Sequence, residues 1–322
     1  VRVPKVVALG GGHGLSTSLQ ALTRVTPDLT AIVTVADDGG SSGRLRDELG
    51  AVPPGDLRMA LAALAGGDEW AATWQRLLQH RFAGEGPLAG HAVGNLVLTG
   101  LAETTSGIVE ALDLVGRLVG ARGRVLPAST TPLEIVAEVV GLNPDDRSAV
   151  TQVVGQVAVA TTPGSVCAVR LRPENPPACA EAVQAVLDAD YVVLGPGSWF
   201  TSVLTHLLVP ELRDALVQTS AQRVVVLNLA PQVGETEGFS PEAHLEVLAG
   251  HCPELSLDVV LADEDAVLDR HGLMSSVEAA GGRLVLASVA LHDGTPRHDP
   301  LLLAEAYAAL MGTHAKGGTA WR

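Results

Sequence analysis

The stretch VVALGGGHGLSTSLQAL, which begins at Val6, constrains the fold of this 322-residue chain more than any other. A short apolar run enters the turn Gly10-Gly11-Gly12-His13-Gly14 and leaves it as an amphipathic segment. That order predicts a buried strand over Val6–Leu9 and a helix over Leu15–Val25. The loop between them can approach a phosphate, because glycine removes the side chain and a helix N-terminus offers free N–H groups. Pro27 ends the helix, and TAIVTV (Thr30–Val35) predicts a second buried strand, continuous in apolar and β-branched residues as parallel strands are. Strand, helix and strand at this length predict a right-handed parallel crossover.

The same alternation returns late in the chain. It predicts a helix over Ala178–Ala189, a strand over Tyr191–Leu194, a helix over Thr201–Leu208 and a strand over Val224–Asn228. A helix over Pro241–Ala249, strands over Leu257–Ala262 and Leu284–Ser288, and a helix over Leu301–Met311 follow. Between the two blocks, residues 57–120 read as an insertion of three or four helices. Residues 124–172 read as an antiparallel β excursion, in which LEIVAEVVG and VTQVVGQVAVA supply β-rich runs. Hydrophobic residues are 47% of the chain and aromatics only 3%, so Ala, Val and Leu must fill the core. The expected fold is α/β: a three-layer α/β/α Rossmann-like domain over 1–312 with a mainly parallel sheet, a helical insertion and a short antiparallel β insertion. Residues 313–322 are expected to form a flexible tail.

A net charge of −15 argues against nucleic acid and anionic membranes as partners, since both need basic patches. No 18-residue apolar run is present, and Cys167, Cys179 and Cys252 show no paired spacing. The expectation is a cytoplasmic protein, without membrane insertion, carrying incidental thiols.

Ligands of such sheets bind beyond the C-terminal ends of the strands, and four loops there carry candidate chemistry. In the first, the glycine spacing fits neither the dinucleotide nor the Walker pattern, which favours another phosphate ligand over NAD; His13 could donate to it. In the second, VADDGGSSGRLRDELG, the adjacent Asp37 and Asp38 suit ribose hydroxyls or a divalent cation, with Mg2+ the candidate ion and these two carboxylates its candidate ligands. Ser41, Ser42 and Arg44 follow as an anion nest, or Ser41 or Ser42 caps a helix that starts at Arg44. PPGDLR then places Asp56 as an N-cap with Arg58 close by. The third loop, with Gly195, Gly197 and Ser198, repeats the strand–glycine–helix pattern and reads as a second anion site or a plain turn. In the fourth, Asn228, Gln232, Glu235 and Thr236 could read a base or sugar or be merely a polar loop. GHAVGNL offers His91 and Asn95 on one helix face. No metal triad and no nucleophile–base pair is apparent, so binding is favoured over catalysis.

Read in order, GGGHGLS, TAIVTVADDGGSSGRLRDELG, PPGDLR, GHAVGNL, RGRVLPAS, GPGSWFTS, GET and RHDP resemble the bacterial YvcK family of gluconeogenesis factors. These share a fold with the CofD family of 2-phospho-L-lactate transferases. The resemblance implies a CofD-like α/β domain that binds a UDP-sugar such as UDP-N-acetylglucosamine. It also implies a regulatory role linking carbon metabolism to cell-wall synthesis and cell shape, with cell-wall or regulatory proteins as partners. A homo-oligomer is the expected state, and no cofactor is established. By position, the resemblance puts Gly11, Gly12, Gly14 and Ser16 in the first anion loop and Asp37 and Asp38 near ligand or metal. Gly195, Gly197 and Ser198 form the second loop, and Arg297 reaches the diphosphate or sugar. The alternative it implies is a metal-dependent transferase moving a phospholactyl or phosphoenolpyruvyl group from a nucleotide donor.

Overall fold

A computed structural model describes residues 2–232 and 234–314. The chain opens with β1 (Val6–Gly10), α1 (Gly12–Leu22) and β2 (Leu29–Val33). Four further helices follow α2 (Gly40–Leu49): α3 (Gly55–Leu64), α4 (Glu69–Gln79), α5 (Val93–Thr104) and α6 (Ile108–Leu118). Next come β3 (Arg124–Pro127), β4 (Glu134–Val140), β5 (Thr151–Val154), the short α7 (Gln156–Ala160) and β6 (Ser165–Arg172). After α8 (Ala180–Leu187) and β7 (Tyr191–Leu194), an irregular helical segment covers Trp199–Leu208. The last third holds α9 (Pro210–Gln218), β8 (Gln222–Val226), α10 (Pro241–His251), β9 (Val259–Asp263), α11 (Arg270–Ala279), β10 (Arg283–Ala287) and α12 (Pro300–Leu310).

Seven strands pair in the order β10-β9-β8-β7-β1-β2-β3, and every pairing is parallel. Chain order reverses between β1 and β7, so the loops leaving these two neighbours diverge to opposite faces and open a crevice between them. The central strands are buried along their length, which explains their unbroken Val, Leu and Ala runs. On α1, Leu15, Ser18, Leu19 and Leu22 recur at helical spacing and face this core. Ser18 Oγ meets the Tyr307 hydroxyl of α12 at 2.8 Å, so the one hydroxyl pair buried there is satisfied. A second sheet, β5-β4-β6, is antiparallel, and its Ile135, Val139 and Val166 join the same apolar core. This is the three-layer α/β architecture with a small antiparallel sheet that the sequence predicts.

Several local expectations are corrected. β3 belongs to the main sheet, paired with β2, so the β insertion consists of β4, β5 and β6. The run QVAVA is helical, although it alternates like a strand, because Gly155 turns at a φ of 101° and Asp38 accepts the Val157 N–H at 2.9 Å. α2 starts at Gly40, with Gly39 as N-cap and no side-chain cap; Ser41 and Ser42 lie inside the helix, buried. His91 precedes α5, while Asn95 lies within it, so the two do not share a helix face. α11 has no counterpart in the sequence reading. Among the described residues no helix is long and apolar enough to cross a membrane, and Cys167, Cys179 and Cys252 are free thiols. Most of the tail expected over 313–322 lies outside the described residues.

Candidate functional site

The crevice at the β1/β7 reversal is a cavity of about 530 Å3, within the range of roughly 300–1,000 Å3 typical of small-molecule sites. Its wall brings together Gly11, Gly12, His13 and Gly14 after β1, Gly197 and Ser198 after β7, Asn228 after β8, and Arg297 before α12. Ser16, Asp37, Asp38, Ser41, Ser42, Arg44, Asn95 and Gly195 are not on it.

The glycines of the first loop are dictated by what lies against them. Gly12 adopts a φ of 58° and faces open space, so a side chain there would be strained and would project into the site. A Cβ at Gly11 would sit 2.6 Å from Asp56 Oδ2 and 2.7 Å from Thr34 Cγ2, and one at Gly14 would collide with the Pro196 carbonyl oxygen. The two strand-end loops therefore touch through Gly14. α1 begins at Gly12 with Gly11 as N-cap, no side-chain cap and no acidic residue in its first turn. The Gly12 N–H is directed at the Asp56 carboxyl, which leaves the next N–H groups of the turn for a ligand, with the helix dipole favouring an anion.

Below this turn lies a carboxylate that the sequence reading treated as a helix cap. α3 starts at Gly55 with Pro54 as N-cap, and Asp56 does not cap it. It lines the cavity instead. Burial and the nearby Asp37 carboxylate push its pKa up to about 7, against the Gly12 N–H and the Arg58 guanidinium. Asp37 Oδ1 accepts the Gly39 N–H at 2.9 Å, and its Oδ2 crowds the backbone of Gly55, beside Asp56. Asp38 turns away to hold α7. The adjacent pair Asp37 and Asp38 is therefore split, and the carboxylate facing Asp37 is Asp56. Among the described residues no cluster of three His, Cys, Asp or Glu side chains could hold a metal.

Ser41, Asn95 and His91 form a buried network behind these acids. Arg58 Nε donates to Asn95 Oδ1 at 2.9 Å, and Asn95 Nδ2 donates to Ser41 Oγ at 3.0 Å. Ser41 Oγ also meets His91 Nδ1 at 3.0 Å. Burial lowers the Arg58 pKa to about 10, with Arg81 adding to the effect. Arg44 spends its guanidinium on the Pro87 and Ala89 carbonyls, at 3.1 and 2.8 Å. These residues lie outside the cavity wall, and Arg44 offers no anion nest.

The loop after β7 differs from its partner after β1. Pro196 has no N–H, the Gly195 N–H bonds to the Leu9 carbonyl, and the Gly197 N–H bonds to Asn228 Oδ1 at 3.0 Å. Glu235 is buried at the head of the irregular helix, where Oε1 accepts the Thr201 N–H at 2.8 Å and Oε2 accepts the Ser198 hydroxyl. A protein carboxylate already occupies the position an anion would take, so the expected second anion site is not formed.

At the rim, Arg297 Nη2 pairs with Asp293 at 2.9 Å, and Nε donates to Thr295. Its neighbour His298 is buried in the wall, and burial lowers its pKa to about 4. The ring is neutral at pH 7. Sequence reasoning missed Asp56 and His298, together with Thr201, Ser202 and the α7 residues Gln156 and Val157 that also line the cavity. Asp56 left a signal as the acid following a rigid Pro-Pro-Gly turn, and Thr201, Ser202 and His298 lie inside the motifs GPGSWFTS and RHDP.

The family model for 2-phospho-L-lactate transferase CofD matches residues 6–281. The chain belongs to the CofD family. Within that family it falls in the gluconeogenesis-factor (YvcK, UPF0052) group. It is 54% identical to the gluconeogenesis-factor homologue of Mycobacterium tuberculosis over 93% of this chain and 88% of that one. The gluconeogenesis factor of Listeria monocytogenes is 35% identical over 96% of both chains. A solved UPF0052-family protein of Bacillus halodurans superposes with a TM-score of 0.83 at 34% identity, covering 95% of this chain and 99% of that one. In this CofD-family fold, the match begins at β1 and takes in the loops after β1, β2, β7 and β8.

Proposed function

We propose that this CofD-family protein is a regulatory binder of a UDP-sugar, UDP-N-acetylglucosamine, linking carbon metabolism to cell-wall synthesis and cell shape. The observation that carries the reading is the uncapped N-terminus of α1, opening on a cavity of about 530 Å3 with Arg297 at its rim. A diphosphate fits N–H groups at a helix head, and the remaining volume, walled by polar groups such as Asn228 and Gln232 and apolar ones such as Leu291 and Pro296, suits a nucleoside and a sugar. Cell-wall or regulatory proteins as partners and a homo-oligomeric state belong to the same reading. The test is calorimetric titration with UDP-N-acetylglucosamine, with and without Mg2+, against GDP and NAD. Selective micromolar binding without metal is the expected result; binding of GDP alone would sink it.

One observation favours a second reading, a metal-dependent transferase moving a phospholactyl or phosphoenolpyruvyl group from a nucleotide donor. Asp56 lines the cavity beside the first glycine turn, and burial together with the nearby Asp37 carboxylate raises its pKa to about 7. Two carboxylates fit Mg2+, which binds through one or two acids and completes its shell with water and substrate phosphates. Bound there, the ion would offset charge on a phosphoryl group under attack. Asp56 and Asp37 would hold it, and the α1 N–H groups would orient the diphosphate. Mg2+-dependent transfer to an alcohol acceptor, abolished in Asp56→Asn, would favour this reading over the regulator.

A further inference from the structure

The half-buried hydroxyl of Ser198 faces the cavity, yet its hydrogen is already committed. Ser198 Oγ donates to Glu235 Oε2, and it also meets Thr201 Oγ1. A hydroxyl has one hydrogen and two acceptor positions. With the Ser198 hydrogen on Glu235, Thr201 must be the donor in the second contact. The chain therefore runs Thr201 hydroxyl to Ser198 hydroxyl to Glu235 carboxylate, with each hydrogen directed toward the acid. What Ser198 still offers the cavity is one lone pair.

The surroundings keep this polarity fixed. Glu235 is 4% exposed, and its other oxygen accepts the Thr201 N–H at 2.8 Å. Burial raises its pKa, while the Ser198 and Thr201 hydroxyls and the Thr201 and Phe200 N–H groups hold that rise back. Asn228 removes the neighbouring alternative, since its amide oxygen accepts the Gly197 N–H and its amide nitrogen donates to the Gly197 carbonyl. A phosphate, which carries only acceptors, would meet an acceptor at Ser198 with a buried negative charge behind it. A hydroxyl or amide N–H of the ligand would find its complement.

We propose that Glu235, acting through Ser198, makes the loop after β7 an acceptor subsite that reads a hydroxyl of the ligand's ribose or sugar, and leaves the diphosphate to α1. This rests on the nucleotide-sugar reading and assigns the two strand-end loops opposite tasks. Glu235 is a positioning residue, since it sets the direction of the Ser198 hydrogen without lining the cavity itself. A carboxamide in its place can donate to Ser198 and turn that hydrogen outward, which reverses the preference without removing a contact atom.

The experiment titrates wild type, Glu235→Gln, Glu235→Asp and Ser198→Ala with UDP-N-acetylglucosamine, UDP, 2′-deoxy-UDP and inorganic pyrophosphate. In wild type, one removal, either of the ribose hydroxyl (UDP to 2′-deoxy-UDP) or of the sugar (UDP-sugar to UDP), weakens binding about 10-fold, the upper end for one hydrogen bond. In Glu235→Gln and Ser198→Ala that discrimination falls to about 2-fold, while pyrophosphate binding stays within about 2-fold of wild type. Glu235→Asp retains a carboxylate and restores part of the discrimination. Ser198→Ala decides the matter should Glu235→Gln fail to fold, which a thermal melt reports. Unchanged discrimination in the variants overturns the inference and leaves the nucleotide-sugar reading standing. An equal loss for all four ligands also overturns it, by making the loop an anion site. Failure of wild type to bind any uridine ligand overturns both.

Discussion

Asn228 closes both of its amide functions on the backbone of Gly197, accepting the N–H at 3.0 Å and donating to the carbonyl at 2.8 Å. The end of β8 thereby clamps the loop after β7 across 31 residues of sequence. Asn228→Ala removes both bonds and leaves two backbone groups to find water in a half-buried turn, so it destabilises by about 1–3 kcal/mol. Asn228→Asp keeps the acceptor and loses the donor, and falls between wild type and alanine. Urea denaturation of the three proteins measures the order; an alanine variant as stable as wild type would show the clamp to be dispensable.

Asp56 makes stability depend on pH with a definite sign. Its folded pKa of about 7 lies above the ordinary 3.8, so the folded protein keeps a proton that the unfolded chain has already released. The resulting stabilisation is complete below about pH 4, is lost as pH rises toward 7, and is absent above it. Asp56→Asn mimics the protonated acid at every pH. It is therefore near neutral at the acid end and stabilising at pH 8, by on the order of 4 kcal/mol. The check is the difference between variant and wild type in denaturant midpoints from pH 5.5 to 8. A difference that does not grow with pH contradicts the assignment.

Arg58 is 4% exposed and Asn95 1%, and the bond between them is one of the few polar contacts the guanidinium has. Asn95→Leu leaves a buried charge without that partner and destabilises by about 3 kcal/mol. The double variant Arg58→Met with Asn95→Leu replaces the pair by apolar groups and recovers much of the loss, because the uncompensated charge is gone. Thermal melts of both variants test this. A double variant less stable than Asn95→Leu alone would mean that Arg58 acts mainly on Asp37 and Asp56.

Arg297 lies at the rim, with its guanidinium held by Asp293 and Thr295. Such an exposed pair contributes about 0–1 kcal/mol to stability. Arg297→Ala should leave the melting temperature almost unchanged while weakening the UDP-sugar by about 1.5–3 kcal/mol, the size of a charge-assisted contact. Calorimetry showing unchanged affinity would remove Arg297 from the ligand.

Where a segment carries its own instructions, the sequence reveals its place; where tertiary partners decide, it does not. The β1–glycine–α1–β2 unit is legible because apolar periodicity, the glycines and Pro27 agree. β3 is not, since four residues become a sheet edge only through pairing with β2. QVAVA alternates like a strand, and its helical form is set by Asp38, more than a hundred residues upstream. α11, with its polar sequence RHGLMSSVEA, carries a weak apolar face. At the site, adjacency in sequence suggests Asp37 with Asp38, and folding pairs Asp37 with Asp56. The two strand–glycine–helix loops look alike in sequence. They diverge because Asn228 and Glu235 consume the donors of one, while Asp56 engages only the Gly12 N–H of the other.

The uncapped loop yields the last prediction, at Gly12. With a φ of 58° and no atom within 4 Å of its would-be Cβ, Gly12 can take a side chain sterically, but only in a conformation that L-residues resist. Gly12→Ala therefore costs about 1–2 kcal/mol of stability through backbone strain alone. The added methyl points into the space above the α1 N–H groups, so it also displaces a bound diphosphate. Gly12→Leu occupies more of that space at similar strain, since leucine is not branched at Cβ. Affinity for UDP-N-acetylglucosamine should fall in the order Gly, Ala, Leu, while the stabilities of Ala and Leu stay close together. Calorimetry paired with denaturation separates the two effects. If affinity tracks stability across the three proteins, Gly12 serves the turn; if affinity falls between Ala and Leu while stability does not, the glycine is there for the ligand.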